Sequence, residues 1–104
     1  MFASIRRYRT NDAAEVTRQV NEGFVPLINE QPGFVAYYVL DSGDGTWTSI
    51  SIFQDRAGAE GSNHLAADWA RQHVADLLVA GPDITAGEVV AQASAPPGQQ
   101  QKAA

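Results

Sequence analysis

The sequence predicts an α+β fold with elements in the order β-α-β-β-α-β and a four-stranded antiparallel sheet. Three observations carry that reading. Phe2 to Arg9 alternates in the manner of a strand, and two strand-like runs, Phe34 to Leu40 and Thr46 to Gln54, flank Asp41-Ser42-Gly43-Asp44-Gly45, a hairpin turn. Apolar residues recur at steps of three or four along 13–27 and again within 56–79. Pro32-Gly33 and Gly81-Pro82 stand where each helical stretch must stop.

The first strand is expected over Phe2 to Arg9. Asn11 then offers a side-chain oxygen as a helix cap, and Asp12 and Glu15 fall in the first turn, where the helix dipole favours negative charge. Ala13, Val16, Val20, Phe24 and Leu27 form one apolar face of that helix. Pro26 removes a backbone donor late in it and predicts a kink or break. In the turn that follows, Gly33 supplies the positive φ that a type II turn requires after proline.

Pairing Leu40 with Trp47 across the hairpin sets Tyr38 opposite Ser49, Ala36 opposite Ser51 and Phe34 opposite Phe53. Asp55 caps a second helix, expected from Arg56 to about Val79 with an irregularity near Gly58 and Gly61; Leu65, Ala66, Trp69, Ala70, Val74 and Leu77 are its apolar side. Ile84 to Gln92 is the fourth strand. The domain is expected over residues 1–93, and 94–104, rich in Pro, Gly and Gln, as a disordered tail.

Two helices cover one face of such a sheet. The aliphatic face, with Val35, Tyr37, Val39, Thr48, Ile50 and Ile52, suits the helices. Phe34, Tyr38, Trp47 and Phe53 are then left open, and an apolar patch of that kind predicts a second subunit or a ligand.

Composition narrows the function. The chain has 104 residues, a size suited to one core, and a net charge of -5 with scattered Lys and Arg, which supplies no basic stripe for nucleic-acid phosphates and disfavours acidic membranes. It contains no cysteine, so thiolate catalysis, disulfides and thiolate metal sites are excluded. The opening residues lack the apolar stretch of a signal peptide and no run approaches a membrane span; a cytoplasmic location is the expectation.

Element order, the Gln31-Pro32-Gly33-Phe34 turn, the Phe53-Gln54-Asp55 strand exit and a helix bearing Ala59, Asn63-His64-Leu65 and Trp69 together resemble the antibiotic biosynthesis monooxygenase superfamily over roughly residues 1–92. The resemblance implies a ferredoxin-like chain that pairs as a dimeric α/β barrel. Its pockets lie between each sheet and its helices or inside the barrel. The activities it implies run from oxidation of aromatic polyketides without metal or flavin to haem degradation. The haem-degrading members use an asparagine in the first strand; this strand turns Phe2, Ser4, Arg6 and Tyr8 inward and has none.

On that resemblance the expected function is a homodimer that oxidises a small aromatic or conjugated molecule in its barrel cavity with molecular oxygen and no cofactor or metal. Tyr8, Tyr38, Trp47 and Ser49 would shape the cavity, Arg6 would hold an anionic oxygen and His64 would be the base. Each has a plainer alternative: His64 paired with Asp68 on the helix surface, Arg6 paired with Glu88 or with an acid of the second subunit, and Trp47 packed in a subunit seam. His73 follows His64 by nine residues, about 900° of helix, so the two point apart and share no metal. Trp69 is expected in the core. The alternative function is a homodimer that binds a small molecule, or serves as a structural partner, without catalysis.

Overall fold

The computed structural model describes residues 1–96, so the tail expected over 94–104 lies largely outside the described residues. Its elements are β1 (Phe2–Thr10), α1 (Ala13–Gln19), a π-helical turn (Val20–Phe24), α2 (Val25–Asn29), β2 (Phe34–Asp41), β3 (Thr46–Phe53), α3 (Arg56–His73), a short 3-10 turn (Ala75–Leu77) and β4 (Leu78–Glu88). The strands form one antiparallel sheet in the order β2-β3-β1-β4, the ferredoxin-like α+β layout, with the helices on one face.

Asp12, and not Asn11, caps α1, its carboxylate accepting from the Glu15 backbone N–H at 3.1 Å. The irregularity expected at Pro26 lies one turn earlier. The Val25 N–H reaches back to the Val20 carbonyl, an i→i+5 bond, and this wider turn accommodates a proline that brings no donor and crowds the carbonyl four residues before it. The wide turn also changes the helix phase. Ile28, fully buried, completes the face of Val16, Val20 and Phe24, while Leu27 turns outward.

α3 is continuous from its Asp55 cap, without the irregularity expected at Gly58 and Gly61. Gly58 serves close approach instead: a Cβ there would stand 2.6 Å from the Phe53 ring. The helix ends at His73, six residues short of the expected Val79, because Val74 leaves helical geometry at φ -130°. β4 then begins at Leu78 and carries Gly81-Pro82 inside it. Proline is tolerated there because β4 is an edge strand and its register with β1 is already broken between Arg7 and Arg9.

The largest correction concerns the sheet's two faces. Asp41, and not Leu40, stands opposite Trp47, and Val39 opposite Ser49; only Phe34 opposite Phe53 agrees with the expected pairing, because a bulge at Val35 absorbs the one-residue difference. Beyond that bulge β2 has the opposite parity. Tyr37 and Val39 pack toward the helices together with Trp47 and Phe53. Tyr38 and Leu40 are on the other side, 56% and 53% exposed. The mixed aromatic and hydroxyl face is therefore the helix-covered one, and the open face carries Ile5, Ile50, Ile52, Tyr38 and Leu40.

Gly81 shows how closely β4 fits β1. Its φ is +108°, and a Cβ would lie 2.7 Å from the Arg7 carbonyl oxygen. Gly81→Ala is expected to destabilise the protein by about 2 kcal/mol, through strain at a position open to glycine alone. Urea unfolding measures it, and a variant as stable as the parent would refute this account of the strand.

Candidate functional site

The inward side chains of β1 and β3 are short hydroxyls around one long cation. Ser4, Arg6, Ser49 and Ser51 all lie on the helix-covered face, and Arg6 is only 1% exposed. Its Nη2 donates to Ser51 Oγ at 2.6 Å, and its Nη1 to Asn63 Oδ1 at 2.8 Å and Ser62 Oγ at 3.3 Å, while Nε has no partner among the described residues. Asn63 Oδ1 also accepts from Ser4 Oγ at 2.6 Å. Every one of these partners is neutral. Among the described residues Arg6 forms no ion pair, and Glu88, named as its partner in the plainer alternative, is exposed.

Beside this polar cluster lies a cleft between sheet and helices, walled by Tyr8, Tyr37, Trp47 and Ser49 from the strands and by Val16, Val20, Phe24, Ala66, Trp69 and Ala70 from the helices. The cavity it encloses is small, about 20 Å³. The aromatic rings interlock. Tyr8 meets Trp47 at 6.0 Å edge to face, and Phe24 meets Tyr37 at 5.4 Å and Trp69 at 5.6 Å. Trp47 is fixed further by its indole N–H, which donates to Thr17 Oγ1 at 3.0 Å.

Charge and proton affinity in the site follow from burial. Desolvation lowers the Arg6 pKa, against the opposing influence of Tyr37 and Tyr8. Burial likewise raises both phenols, Tyr37 to about 12, although the Arg6 charge pulls each back toward its ordinary range. Both tyrosines therefore remain protonated donors through neutral pH, polarised by the cation beside them.

Tyr8, Trp47 and Ser49 line the cleft, and Arg6 stands next to its two tyrosines. Tyr38 does not; the bulge at Val35 turns it to the open face. His64 is exposed, because α3 directs Ala59, Ser62, Asn63 and Ala66 toward the sheet and the next residue's side chain is rotated away by about 100°. Asp68 pairs with Arg71 and not with His64. His73 is exposed and stacks on Trp69 at 4.8 Å.

Tyr37 and Asn63 belong to the site although the sequence reading did not place them there. The Ala59, Ser62, Ala66 and Ala70 spacing was the available signal for Asn63, since it marks the face of α3 that sits on the sheet. No comparable signal announced the bulge that brings Tyr37 inward.

No family model and no curated protein matches this chain. Solved structures do. A protein of unknown function from Nitrosomonas europaea is 27% identical with a TM-score of 0.71, covering 93% of this chain and 95% of its own. A variant of SnoaB, a cofactor-independent oxygenase from Streptomyces nogalater, is 14% identical with a TM-score of 0.68 over 88% of this chain and 94% of its own. The ActVA-Orf6 monooxygenase of Streptomyces coelicolor, solved with nanaomycin D, is 18% identical with a TM-score of 0.68 over 91% of both chains. The chain has the fold of the antibiotic biosynthesis monooxygenases.

The shifted phenol has a measurable consequence. Unfolded Tyr37 releases its proton near pH 10 and the folded residue near pH 12, so its contribution to stability is complete below pH 10 and is lost as pH rises toward 12. Tyr37→Phe should flatten this part of the stability curve in denaturant unfolding across that range. An unchanged slope would show that Tyr37 is not held protonated by burial.

Proposed function

We propose that the protein is a cytoplasmic homodimer that binds a small aromatic or conjugated molecule in the cleft between sheet and helices and oxidises it with molecular oxygen, using no bound cofactor. The observation that carries this reading is Arg6: a guanidinium buried among neutral partners, beside two tyrosines that open onto an aromatic-walled cleft. Burying a cation without a counter-charge costs several kcal/mol, and an anionic ligand oxygen near it would offset that cost.

The chemistry follows from the donors. A substrate with an acidic methylene between two rings loses a proton to give a delocalised enolate, whose oxygen would take hydrogen bonds from Tyr37 and Tyr8 in the field of Arg6. Dioxygen accepts electrons from this electron-rich carbanion. One of its oxygen atoms becomes the new carbonyl, replacing the two hydrogens of the methylene, and the other leaves as water. Solvent takes the first proton in this scheme, since no carboxylate or imidazole lines the cleft among the described residues.

That same lack of a base supports the second reading, binding without turnover. The solved oxygenases of this fold support the first. For the dimer the support is the open face with Ile5, Ile50, Ile52, Tyr38 and Leu40, which the chain's own helices leave uncovered. No described helix is long and apolar enough to cross a membrane.

Oxygen uptake over a panel of anthrones and hydroquinones, run beside quenching of tryptophan fluorescence, separates the two readings. Turnover is expected to fall about a hundredfold in Tyr37→Phe, as when one oxyanion donor is removed, and to be unchanged in His64→Ala. Quenching without oxygen uptake establishes the binding reading; neither signal with any compound refutes both. Light scattering should give twice the 11.1 kDa chain mass for the parent and the single mass for Ile50→Glu. A parent of single mass at micromolar concentration contradicts the dimer.

A further inference from the structure

The cleft as it stands is too small for its proposed ligand. Space for the centre of a water-sized body amounts to about 20 Å³, roughly one water, so an aromatic molecule enters only if a wall moves. Most walls cannot move cheaply. Val16, Val20 and Phe24 are core residues on the buried face of the first helical segment, and Trp47 is tied by its indole N–H to Thr17.

Trp69 differs in three respects. It is only partly buried, and among the described residues its indole N–H makes no hydrogen bond, the rings of Phe24 on the inner side and His73 stacked at 4.8 Å bracing it instead. It is also a wall of two spaces at once: the inner cleft, and an outer groove bounded by Arg18, Gln19, Glu22, Gly23 and His73, where water-sized bodies reach about 290 Å³. Finally, its closed position depends on an absent side chain. A Cβ at Gly23, within the π-helical turn, would stand 3.1 Å from Trp69 Cζ2 and 3.2 Å from Nε1.

We infer that Trp69 is the gate of the cleft. Its indole, seated on Gly23 and braced by His73, separates the inner cleft from the outer groove, and its outward rotation admits the ligand and sets the size that can pass. This rests on the reading that the cleft receives a ligand, yet the gate can be tested without one.

The chain has no cysteine, so a single Ala66→Cys places one thiol in the cleft wall, where Ala66 is 7% exposed. Ala59→Cys, buried in α3 away from the cleft, reports opening by unfolding alone. Dithiobis-nitrobenzoate, an aromatic anion of ligand size, is the probe, used at concentrations where opening is in rapid equilibrium. The gate predicts that Trp69→Ala accelerates labelling at position 66 by at least tenfold over its effect at position 59. Trp69→Phe should give an intermediate acceleration and Gly23→Ala, which displaces the indole from its seat, a severalfold one. The latter two variants keep the test decisive if Trp69→Ala fails to fold. Equal effects at positions 66 and 59 would overturn the gate. Absence of binding by every anthrone and hydroquinone, with the labelling pattern intact, would instead refute the aromatic-ligand reading and leave the gate standing.

Discussion

Arg6 sets the terms for everything around it. Its guanidinium is withdrawn from water by the sheet below and α3 above, with Ser51, Ser62 and Asn63 as partners and no carboxylate among them. Neutral hydrogen bonds satisfy a guanidinium's geometry but not its charge, so the arrangement is costly by itself. The short hydroxyls of β1 and β3 make room for the long side chain and supply oxygens where a core would otherwise be apolar. The small-residue face of α3 lets the helix descend close enough for Asn63 to join Ser4 and Arg6.

The same constraint divides the sheet. One face holds the cation, the hydroxyls and the aromatic cleft, and the helices cover it. The other is aliphatic and open, so the features proposed for ligand and for partner subunit lie on opposite sides of one layer. A substitution on the open face, such as one at Ile50, therefore acts on assembly without touching the cleft, whereas a change at Tyr37 acts on the cleft alone. Trp69 belongs to neither set of strand residues; α3 suspends it between cleft and groove, against a glycine in a turn whose widening accompanies Pro26.

Much of this was legible in the sequence, and the exceptions have physical causes. Period-2 and period-3.6 patterning gave the element order, the Asp55 cap and the inward set Ser4, Arg6 and Tyr8, because these depend on local geometry. Two helices do leave one face of the sheet open, but it is the face of Ile5, Ile50 and Ile52 and not the one with Trp47 and Phe53. The bulge at Val35 is one extra residue that composition does not announce, and it exchanged Tyr38 for Tyr37 in the cleft. β4 was misplaced because a glycine-proline pair, usually a stop, sits here on an edge strand where a missing donor costs no ladder bond. His64 drew notice as a titratable residue, while its neighbour Asn63 was the one that α3 turned inward.

If Arg6 is kept for a ligand and not for the fold, then removing its charge should cost the fold little. Arg6→Met, which preserves the apolar stem, tests this through urea unfolding of parent and variant with an anthrone titration of each. The account predicts loss of ligand binding with a stability cost of no more than about 1–2 kcal/mol, the desolvation of the oxygens of Ser51 and Asn63 that lose their donor being offset in part by removal of the buried charge. A variant several kcal/mol less stable, or one that binds as the parent does, would contradict it.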